Sequence, residues 1–505
     1  MAALPPIRSS RVFRLLGGRV GRPALAASPG GGQAARAGAA PAIDARVVQA
    51  VSRLTYGPAP GDLARVAAMG VSAFIDEQLS PETLSEPPAL AEALDALPTV
   101  SMSTVRLFRE YGPAATEDGA APGPDAMRQV FDRAEVVALE AARARLSRAI
   151  LSPRQLQELM VAFWCEHFSL GAQKGLSHLW VGAFEREAVR PHAMGRFADL
   201  LMATATHPAM LIARGNWKNV VHRQGDGPAK DDLDPTYAAI LLAHQTLGPH
   251  GPQTPDDATA LARILTGWRV GAARGGADNG GFYFDVDLHD PSDKVLLGQS
   301  IRGTGLSEGA AALRLLAGHP ATAKHISRKL AVYFLADNPP DALVDSLAEA
   351  FIRTEGDIRQ VLRALFASPD FFEAAYRGNR FKSPLRQVVS AVRAAGGGAR
   401  DTTALAGVLA RLGQPFFAAE GPEGYPVSAK AWLLPEAVLA RVVFAGDLSA
   451  GHIPGLGLRA GKMSREMLIE TLGPALSEAT RKAARKAPAH VGAAVVLASP
   501  DAMRY

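Results

Sequence analysis

The fold is decided by three pieces of sequence: LARILTGWRV at residues 261–270, FYFDVDLHDPSDKVLLGQSI at 282–301 and GHPATAKHISRKLAVYFLADNPP at 318–340. The first and third pieces have the apolar spacing of amphipathic helices. The middle piece is rich in aromatic and β-branched residues, which favour strands, and it holds the only plausible strand material in the chain. We therefore predict helices on both sides of a small β-hairpin insertion near 281–301, in which 282–287 pairs with 295–297.

Outside this region the chain continues the helical pattern in both directions. Helix starts are marked by capping residues such as Asp44, Ser152 before Pro153, and Asp357. The fold class that follows is mainly α, a multi-helical single large domain. We divide the chain into a disordered leader or degenerate signal at 1–40 and a helical domain at 41–505, which comprises an N-terminal helical unit at 41–80, a loop-rich linker at 81–124, a central helical core at 125–395 and a C-terminal helical part at 396–505.

Composition narrows the class of protein. The 505 residues are 48% hydrophobic and 20% charged, and the net charge is +5, which is a mild bias at this length. Lysine and arginine do not form one basic stripe with interleaved aromatic residues, so we do not expect nucleic-acid binding. No run of eighteen apolar residues occurs, so we expect no transmembrane helix. The single cysteine, Cys165, excludes a disulfide within the chain and a metal site built from several cysteines.

The first forty residues bear on the cellular location. Arg8, Arg11 and Arg14 resemble the basic start of a secretion signal, but Arg19 and Arg22 interrupt the apolar stretch that should follow. A cytoplasmic location is therefore favoured, and export to the periplasm stays open.

His289, Asp290 and Lys294 form the sharpest local candidate for a catalytic site. The adjacent carboxylate could orient the imidazole, and Lys294 could bind an anion. The alternative is structural, because an Asp-Pro pair such as Asp290-Pro291 commonly builds a turn.

A second candidate lies in the apolar helix at 154–168. Cys165 and His167 have metal-binding chemistry, but residues two apart on a helix diverge by about 200°, so both cannot face one ion or act as a nucleophile and its base. His244, on another helix, could instead face His167 as a second metal ligand. The structural alternative makes His167 a satisfied core histidine and Cys165 a small buried residue. No cofactor can be named from either candidate.

From about Val47 onward, a series of short motifs resembles the large bacterial family known as domain of unknown function 1800. The order and spacing of the motifs are specific, although each is weak alone. They are Leu54-Thr55-Tyr56-Gly57-Pro58, Phe163-Trp164-Cys165-Glu166-His167-Phe168, Leu265-Thr266-Gly267-Trp268, Leu288-His289-Asp290 with Lys294, Leu297-Gly298, His319-Pro320-Ala321-Thr322-Ala323, Arg328-Lys329-Leu330, Phe381-Lys382-Ser383-Pro384, Leu412-Gly413-Gln414-Pro415 and Ala431-Trp432-Leu433.

The resemblance implies a mostly helical fold, a bacterial source and a partner from a neighbouring family, domain of unknown function 1501; it implies no established reaction. Two departures stand out. Members usually read Trp-His-x-His-Phe where this chain has Cys165 in place of the first histidine. They also carry an Arg-Glu-x-x-Glu helix where this chain has Ala239, Ile240 and Ala243.

Apolar residues in place of charged ones fit a packed core better than a working polar centre, because a half-dismantled polar centre is costly. We therefore expect a non-catalytic or catalytically degenerate protein that acts in binding or assembly. The alternative is a metal-dependent hydrolase or oxidoreductase that uses His167, His244 and His289 with Asp290. Whether the chain is an enzyme stays open at this point.

Overall fold

A computed structural model describes residues 43–113, 123–171, 175–221, 233–271, 281–458 and 463–505. The stretch from Pro41 to Tyr505 forms one unit, and the predicted leader at 1–40 lies outside the described residues. Most of the described chain is helical, as predicted. No described helix is both long and apolar enough to cross a bilayer, which agrees with the sequence.

The first half of the fold begins at Asp44, whose carboxylate accepts a hydrogen bond from the Val47 amide as predicted for a helix cap. Its helices are α1 (Ala45–Leu54), α2 (Asp62–Met69), α3 (Val71–Leu79), α4 (Pro88–Asp95), α5 (Thr104–Tyr111), α6 (Pro124–Leu151), α7 (Gln155–His167), α8 (Val181–Phe184), α9 (Phe197–Thr206), α10 (Pro208–Arg214), α11 (Thr236–Ile240) and α12 (Pro255–Ile264). Two wider, π-helical turns follow α8 and α11, at Glu185–Val189 and Leu241–Thr246.

The second half contains the strands and the remaining helices. These are β1 (Trp268–Gly271), β2 (Gly281–Phe284), β3 (Lys294–Leu296), β4 (Gln299–Ile301), α13 (Leu306–Ala317), α14 (Pro320–Phe334), α15 (Asp341–Arg353), α16 (Ile358–Ala367), α17 (Pro384–Ala394), α18 (Thr403–Arg411), α19 (Pro435–Ser449), α20 (Arg465–Leu472), α21 (Glu478–Lys486) and α22 (Ala489–Leu497). One apolar core cluster runs through both halves, from Val47 to Leu497. Helix α7 lies deep within it, because Leu156, Leu159 and Trp164 have no exposed surface.

The predicted hairpin pairing was not found. Instead β2 pairs with β1, Trp268 opposite Phe284, and β3 pairs with β4 in a second, separate hairpin. Leu297 and Gly298 connect β3 to β4 with φ of 50° and 74°, and positive φ at both residues is what a two-residue hairpin turn of this hand requires. The sequence predicts that the preceding helix ends at Trp268, and this prediction left β2 without its true partner.

Within the predicted loop-rich linker at 81–124 the structure describes two helices, α4 and α5, and residues 114–122 lie outside the described residues. Pro88 occupies the first turn of α4, where a missing backbone N–H costs nothing, and so this proline starts a helix rather than breaking one. Leu90 and Leu107 are buried and attach the segment to the protein.

Candidate functional site

The site is centred on the C-terminal end of α7, where each residue faces a different neighbour. Trp164 is fully buried, and its indole N–H donates to the carbonyl of Ala193 at 2.8 Å, which fixes the rotation of the helix. Cys165 and Glu166 line one small cavity, whereas His167, 200° from Cys165 around the helix, contacts Lys329 and the carbonyl of Gln245. The predicted divergence of Cys165 from His167 follows from this geometry.

Both ring nitrogens of His167 are engaged. Lys329 on α14 donates from Nζ to Nδ1 at 2.8 Å, and Nε2 lies 3.1 Å from the carbonyl oxygen of Gln245. A lysine only donates, so Nδ1 is the acceptor and the ring proton is on Nε2. Burial, then the charges of Lys329 and His325, lower the pKa of His167 well below its usual value. The imidazole is therefore neutral.

The carbonyl groups come from the π-helical turn that follows α11. His325, one turn before Lys329 on α14, lies with Nε2 at 3.3 Å from the carbonyl oxygen of His244, the residue next to Gln245. Gly248 then ends the turn with φ of +89°, and a Cβ there would stand 3.0 Å from Nδ1 of His325. A wide turn and a glycine thus bring two imidazoles against one stretch of backbone.

Lys329 is the cation at the centre of this group. Burial lowers the pKa of its ammonium to about 8, and Glu166 and Glu423 oppose that shift. It forms no ion pair with a carboxylate in the described part of the chain, and its bond to His167 uses one of three N–H donors. Two donors are left to face the adjoining space.

That space is a cavity of about 540 Å³ between α7, α14 and the Leu247–Pro252 loop. Phe163, Leu247 and Val332 give it apolar walls, and its polar lining comes from His250, Lys324, His325, Arg328 and Lys329. None of the fourteen described residues that line it is Asp or Glu. Lys324 and Arg328 pair with Asp345 and Asp341 at 2.7 and 2.6 Å, which leaves Lys329 as the lining cation without such a partner.

Cys165 and Glu166 face a separate, smaller cavity of about 30 Å³. Burial raises the pKa of the Cys165 thiol to about 12, although Arg145 pulls in the opposite direction. Burial also raises the pKa of Glu166, whose carboxylate accepts the Tyr425 amide at 2.9 Å. A thiol with so high a pKa is a packing group rather than a nucleophile at neutral pH.

The structure does bring the predicted residues His289, Asp290 and Lys294 together, and it adds Glu308. The Glu308 Oε1 atom lies 2.8 Å from Nζ of Lys294 and 2.8 Å from Nε2 of His289, although the histidine N–H is not well aligned with it. Asp290 pairs with Arg263 at 2.9 Å. Each of the four side chains of this group is no more than 7% exposed.

The remaining contacts of this group favour a structural role. Nδ1 of His289 lies 2.9 Å from the carbonyl of Thr266, and the Asp290 amide donates to the Thr266 hydroxyl at 3.0 Å. Lys294 also donates to the carbonyl of Asp290. These bonds attach the β3–β4 hairpin to the end of α12 and to α13. A catalytic role for His289, Asp290 and Lys294 stays a prediction.

The predicted metal ligands His167 and His244 are neighbours, but it is the backbone carbonyl next to His244 that faces His167. No group of three or more His, Cys, Asp or Glu side chains suited to a metal ion occurs among the described residues. Ile240 and Ala243, at the positions of the family acids, are partly buried and do not line the 540 Å³ cavity.

Lys329 is not among the site residues predicted from the sequence, which favours a solvated face for Lys324, Arg328 and Lys329 and leaves anion binding as the lesser alternative. One available signal was the spacing of His325 and Lys329, four residues apart on one face of a largely apolar helix. Glu308 was missed because nothing in its local sequence, at the start of a helix, distinguishes it from a surface acid.

The comparisons with known proteins give one match. A family model described as "Protein of unknown function (DUF1800)" matches residues 49–504. No curated protein and no solved structure matches the chain significantly.

Proposed function

This chain belongs to the DUF1800 family, and from its own residues we propose that it is a binding protein whose 540 Å³ cavity takes a small anionic ligand with an apolar body. The observation that carries the proposal is Lys329, a cation with two free donors in a cavity that no carboxylate of the described residues lines. The proposal makes the centre at α7 a recognition site rather than a reactive one.

The charge of the lining selects the sign of the ligand. Lys324, Arg328 and Lys329 contribute three cations, and the carboxylates that neutralise two of them stand outside the cavity. A buried ammonium is costly unless an anion compensates for it, and a carboxylate or phosphate would accept its two free N–H groups.

The walls select the body of the ligand. Phe163, Leu247, Val332 and two prolines offer apolar surface, and the volume matches that of small-molecule sites in general. Burying a short alkyl or aryl chain there would contribute roughly 0.8 kcal/mol per methylene. Octanoate is a suitable probe, because it joins one carboxylate to a chain that fits this volume.

The contacts of His167 argue against the alternative function, a metal-dependent hydrolase or oxidoreductase. Lys329 and the Gln245 carbonyl occupy both ring nitrogens, so this imidazole would have to break two bonds before it could bind an ion. Metal analysis of the purified protein tests that alternative: near one equivalent of a transition metal that is lost in a His167→Ala variant would favour the hydrolase or oxidoreductase over our proposal.

Calorimetric titration tests the binding proposal. At pH 7 we expect octanoate to bind, and Lys329→Met to weaken it about tenfold or more, because one charge-assisted hydrogen bond is worth about 1.5–3 kcal/mol. Binding of 1-octanol, which lacks the charge, should change less than about twofold. Lys482→Met, an exposed lysine on α21, is the matched control. The proposal would be contradicted if Lys329→Met weakened the binding of octanoate and 1-octanol equally, or if the wild type did not bind octanoate.

Assembly with another protein is the second part of the proposal, and α19 supports it. Its buried side, Phe444 and Leu448, packs into the core, whereas Leu439, Val442 and Val443 are 64%, 44% and 56% exposed. Leu433 and Leu434 extend this apolar surface at the start of the helix, at 46% and 51% exposure. A contiguous apolar patch of this kind marks interaction surfaces, and we propose the neighbouring-family protein, domain of unknown function 1501, as its occupant.

Co-purification from native cells tests the assembly. The tagged chain should retain a protein that mass spectrometry assigns to that neighbouring family, and Leu439→Glu with Val443→Glu should lose it. Ile352→Glu, at an isolated exposed apolar residue, is the control. If the variant with Leu439→Glu and Val443→Glu retains the same partner as the Ile352→Glu control, this surface does not bind the partner. If the self-association of that variant changes instead, the surface is a contact between copies of the chain.

A further inference from the structure

A second group of buried cations surrounds the aromatic ring of Tyr505, away from Lys329. Arg53, Arg380 and Arg386 are 0%, 2% and 4% exposed. The guanidinium carbons of Arg386 and Arg53 lie 3.7 and 4.8 Å from the Tyr505 ring centre. Three guanidinium groups around one ring are a dense positive charge for the interior of a protein.

Contacts within the protein provide acceptors for only some of the N–H groups of these arginines. Nη2 of Arg386 donates to the carbonyls of Ser52, Arg53 and Thr55 at 2.7, 3.2 and 2.8 Å, and so caps the C-terminal end of α1. Arg380 pairs with Asp337. Capping uses Nη2 of Arg386 and explains why an arginine is tolerated there. It leaves Nε and Nη1 of the same guanidinium without a hydrogen-bond acceptor.

The remaining nitrogens have no acceptor in the described part of the chain. They are Nε and Nη1 of Arg386, Nε of Arg380, and Nε and Nη1 of Arg53. An arginine cannot relieve this cost by releasing its proton as a lysine can, because its pKa is too high. Buried N–H donors ordinarily have hydrogen-bond partners, and so the free Nε and Nη1 of Arg386 require an explanation.

A cavity of about 50 Å³ is bordered by two of these three arginines. Arg380, Arg386, Tyr333 and Tyr505 line it, and Glu166 is the one carboxylate among the described residues of its wall. The carboxylate of Glu166 accepts a hydrogen bond from the Tyr425 amide and forms no ion pair with Arg386 in the described part of the chain. The volume accommodates a few water molecules or one small ion, but not a long chain.

We propose that this cavity is a binding site for a small oxyanion, such as phosphate, sulfate or a short carboxylate, held by a free N–H donor of Arg386 with Arg380 beside it. A charge-assisted hydrogen bond from a guanidinium N–H to an oxyanion is roughly twice as strong as one between neutral groups. The site is independent of the Lys329 cavity, with which its lining shares only Val427.

Tyr505 offers a spectroscopic reporter for this site. Burial alone would raise the pKa of its phenol, but Arg386, Arg380 and Arg53 lower it to about 8. An anion bound against the same arginines would offset their charge, so the midpoint of the Tyr505 ionisation, followed as tyrosinate absorbance, should move up by about one pH unit. The Tyr505→Phe variant identifies which part of the absorbance belongs to this residue.

The test is thermal unfolding of the full chain in phosphate, sulfate or acetate against sodium chloride at matched ionic strength. We expect at least one oxyanion to raise the Tm saturably by about 2 °C or more. Arg386→Lys should lose this response. Arg393→Lys should keep it, because Arg393 is similarly buried and donates from all three of its nitrogens. Lys329→Met should keep it too.

Each outcome decides between alternatives. A response to acetate alone would make the ligand a carboxylate, and a response to phosphate or sulfate a tetrahedral ion. If Arg386→Lys does not fold, the Tyr505 ionisation in the wild type, with and without the oxyanion, decides instead. No rise in Tm beyond that in chloride, together with an unmoved Tyr505 midpoint, would overturn the proposal, as would loss of the response in Lys329→Met.

Discussion

At the scale of single residues, Lys329 links the chemistry of the cavity to pH. Its pKa of about 8 means that it is mostly charged at pH 7 and mostly neutral at pH 9. We expect octanoate affinity to fall about tenfold between these pH values, because the ammonium that compensates for the carboxylate is lost. The octanoate affinity of the Lys329→Arg variant, whose side chain stays charged, should fall less than about twofold over the same interval. Calorimetry at both pH values checks this, and an affinity that rises with pH would refute it.

Cys165 gives a second expectation at this scale. With a pKa of about 12, its thiolate fraction at pH 8 is on the order of 1,000-fold below that of a free cysteine. Alkylation by iodoacetamide should therefore be slow in the folded protein and fast after unfolding in urea. Rapid, stoichiometric modification of the folded protein would instead mark Cys165 as a reactive thiol.

For His167, burial could be predicted from the sequence but its hydrogen-bond partners could not. The interpretation of His167 as a satisfied core histidine anticipates its burial, because it lies on the apolar face of α7. Its partners could not be predicted, since Gln245 and Lys329 are 78 and 162 positions away along the chain. Local spacing shows which side of a helix is apolar, but not which distant side chain meets it.

At the scale of elements, Glu308 holds α13 to the β3–β4 hairpin through Lys294. Glu308→Ala leaves a buried ammonium without its carboxylate, and we expect it to reduce the free energy of unfolding by about 3–5 kcal/mol. Asp345→Ala removes one side of the exposed pair with Lys324 and should cost less than about 1 kcal/mol. Urea denaturation at pH 7 measures both. A loss of under 1 kcal/mol for Glu308→Ala would show that this network does not stabilise the fold.

Helices could be predicted from the sequence much better than strands. Capping signals such as Asp44 and Asp357 act locally, and both cap helices in the structure. Strand pairing depends on residues elsewhere in the chain, and the β3–β4 turn is Leu297-Gly298, a weaker signal than Asn-Gly. The π-helical turn at Leu241–Thr246, which positions two carbonyls of the site, has no sequence signature that we could use.

At the scale of the whole molecule, stability should depend on pH through Lys382. Its ammonium donates to Ser390 Oγ and the Ala502 carbonyl, both at 2.8 Å, and burial lowers its pKa to about 7. Between this value and about 10.4 the unfolded chain binds more protons than the folded one, so stability rises with pH.

The expected gain from Lys382 is on the order of 2 kcal/mol between pH 7 and 9. Lys329 contributes with the same sign, because burial lowers its pKa too. Lys382→Met should be less stable than the wild type throughout, because two acceptors lose their donor, but its stability should rise less over this interval. Urea denaturation at the two pH values checks the difference, and parallel curves for the two proteins would contradict it.

The candidate site is a property of the whole chain. It joins α7, the π-helical turn, α14 and the Leu247–Pro252 loop, which the sequence presents as separate helices and a turn. Composition and periodicity are sufficient to predict a helical domain, because they report on burial. They do not predict that one uncompensated lysine will face a cavity, because that depends on how the helices pack.

The central claim is that Lys329 recognises an anion in the 540 Å³ cavity. A crystal structure of the protein with octanoate tests it most directly. We expect the carboxylate within about 3 Å of Lys329 Nζ and the alkyl chain against Phe163, Leu247 and Val332. Octanoate bound only elsewhere on the protein, or water alone at Lys329 in saturating octanoate, would contradict the claim.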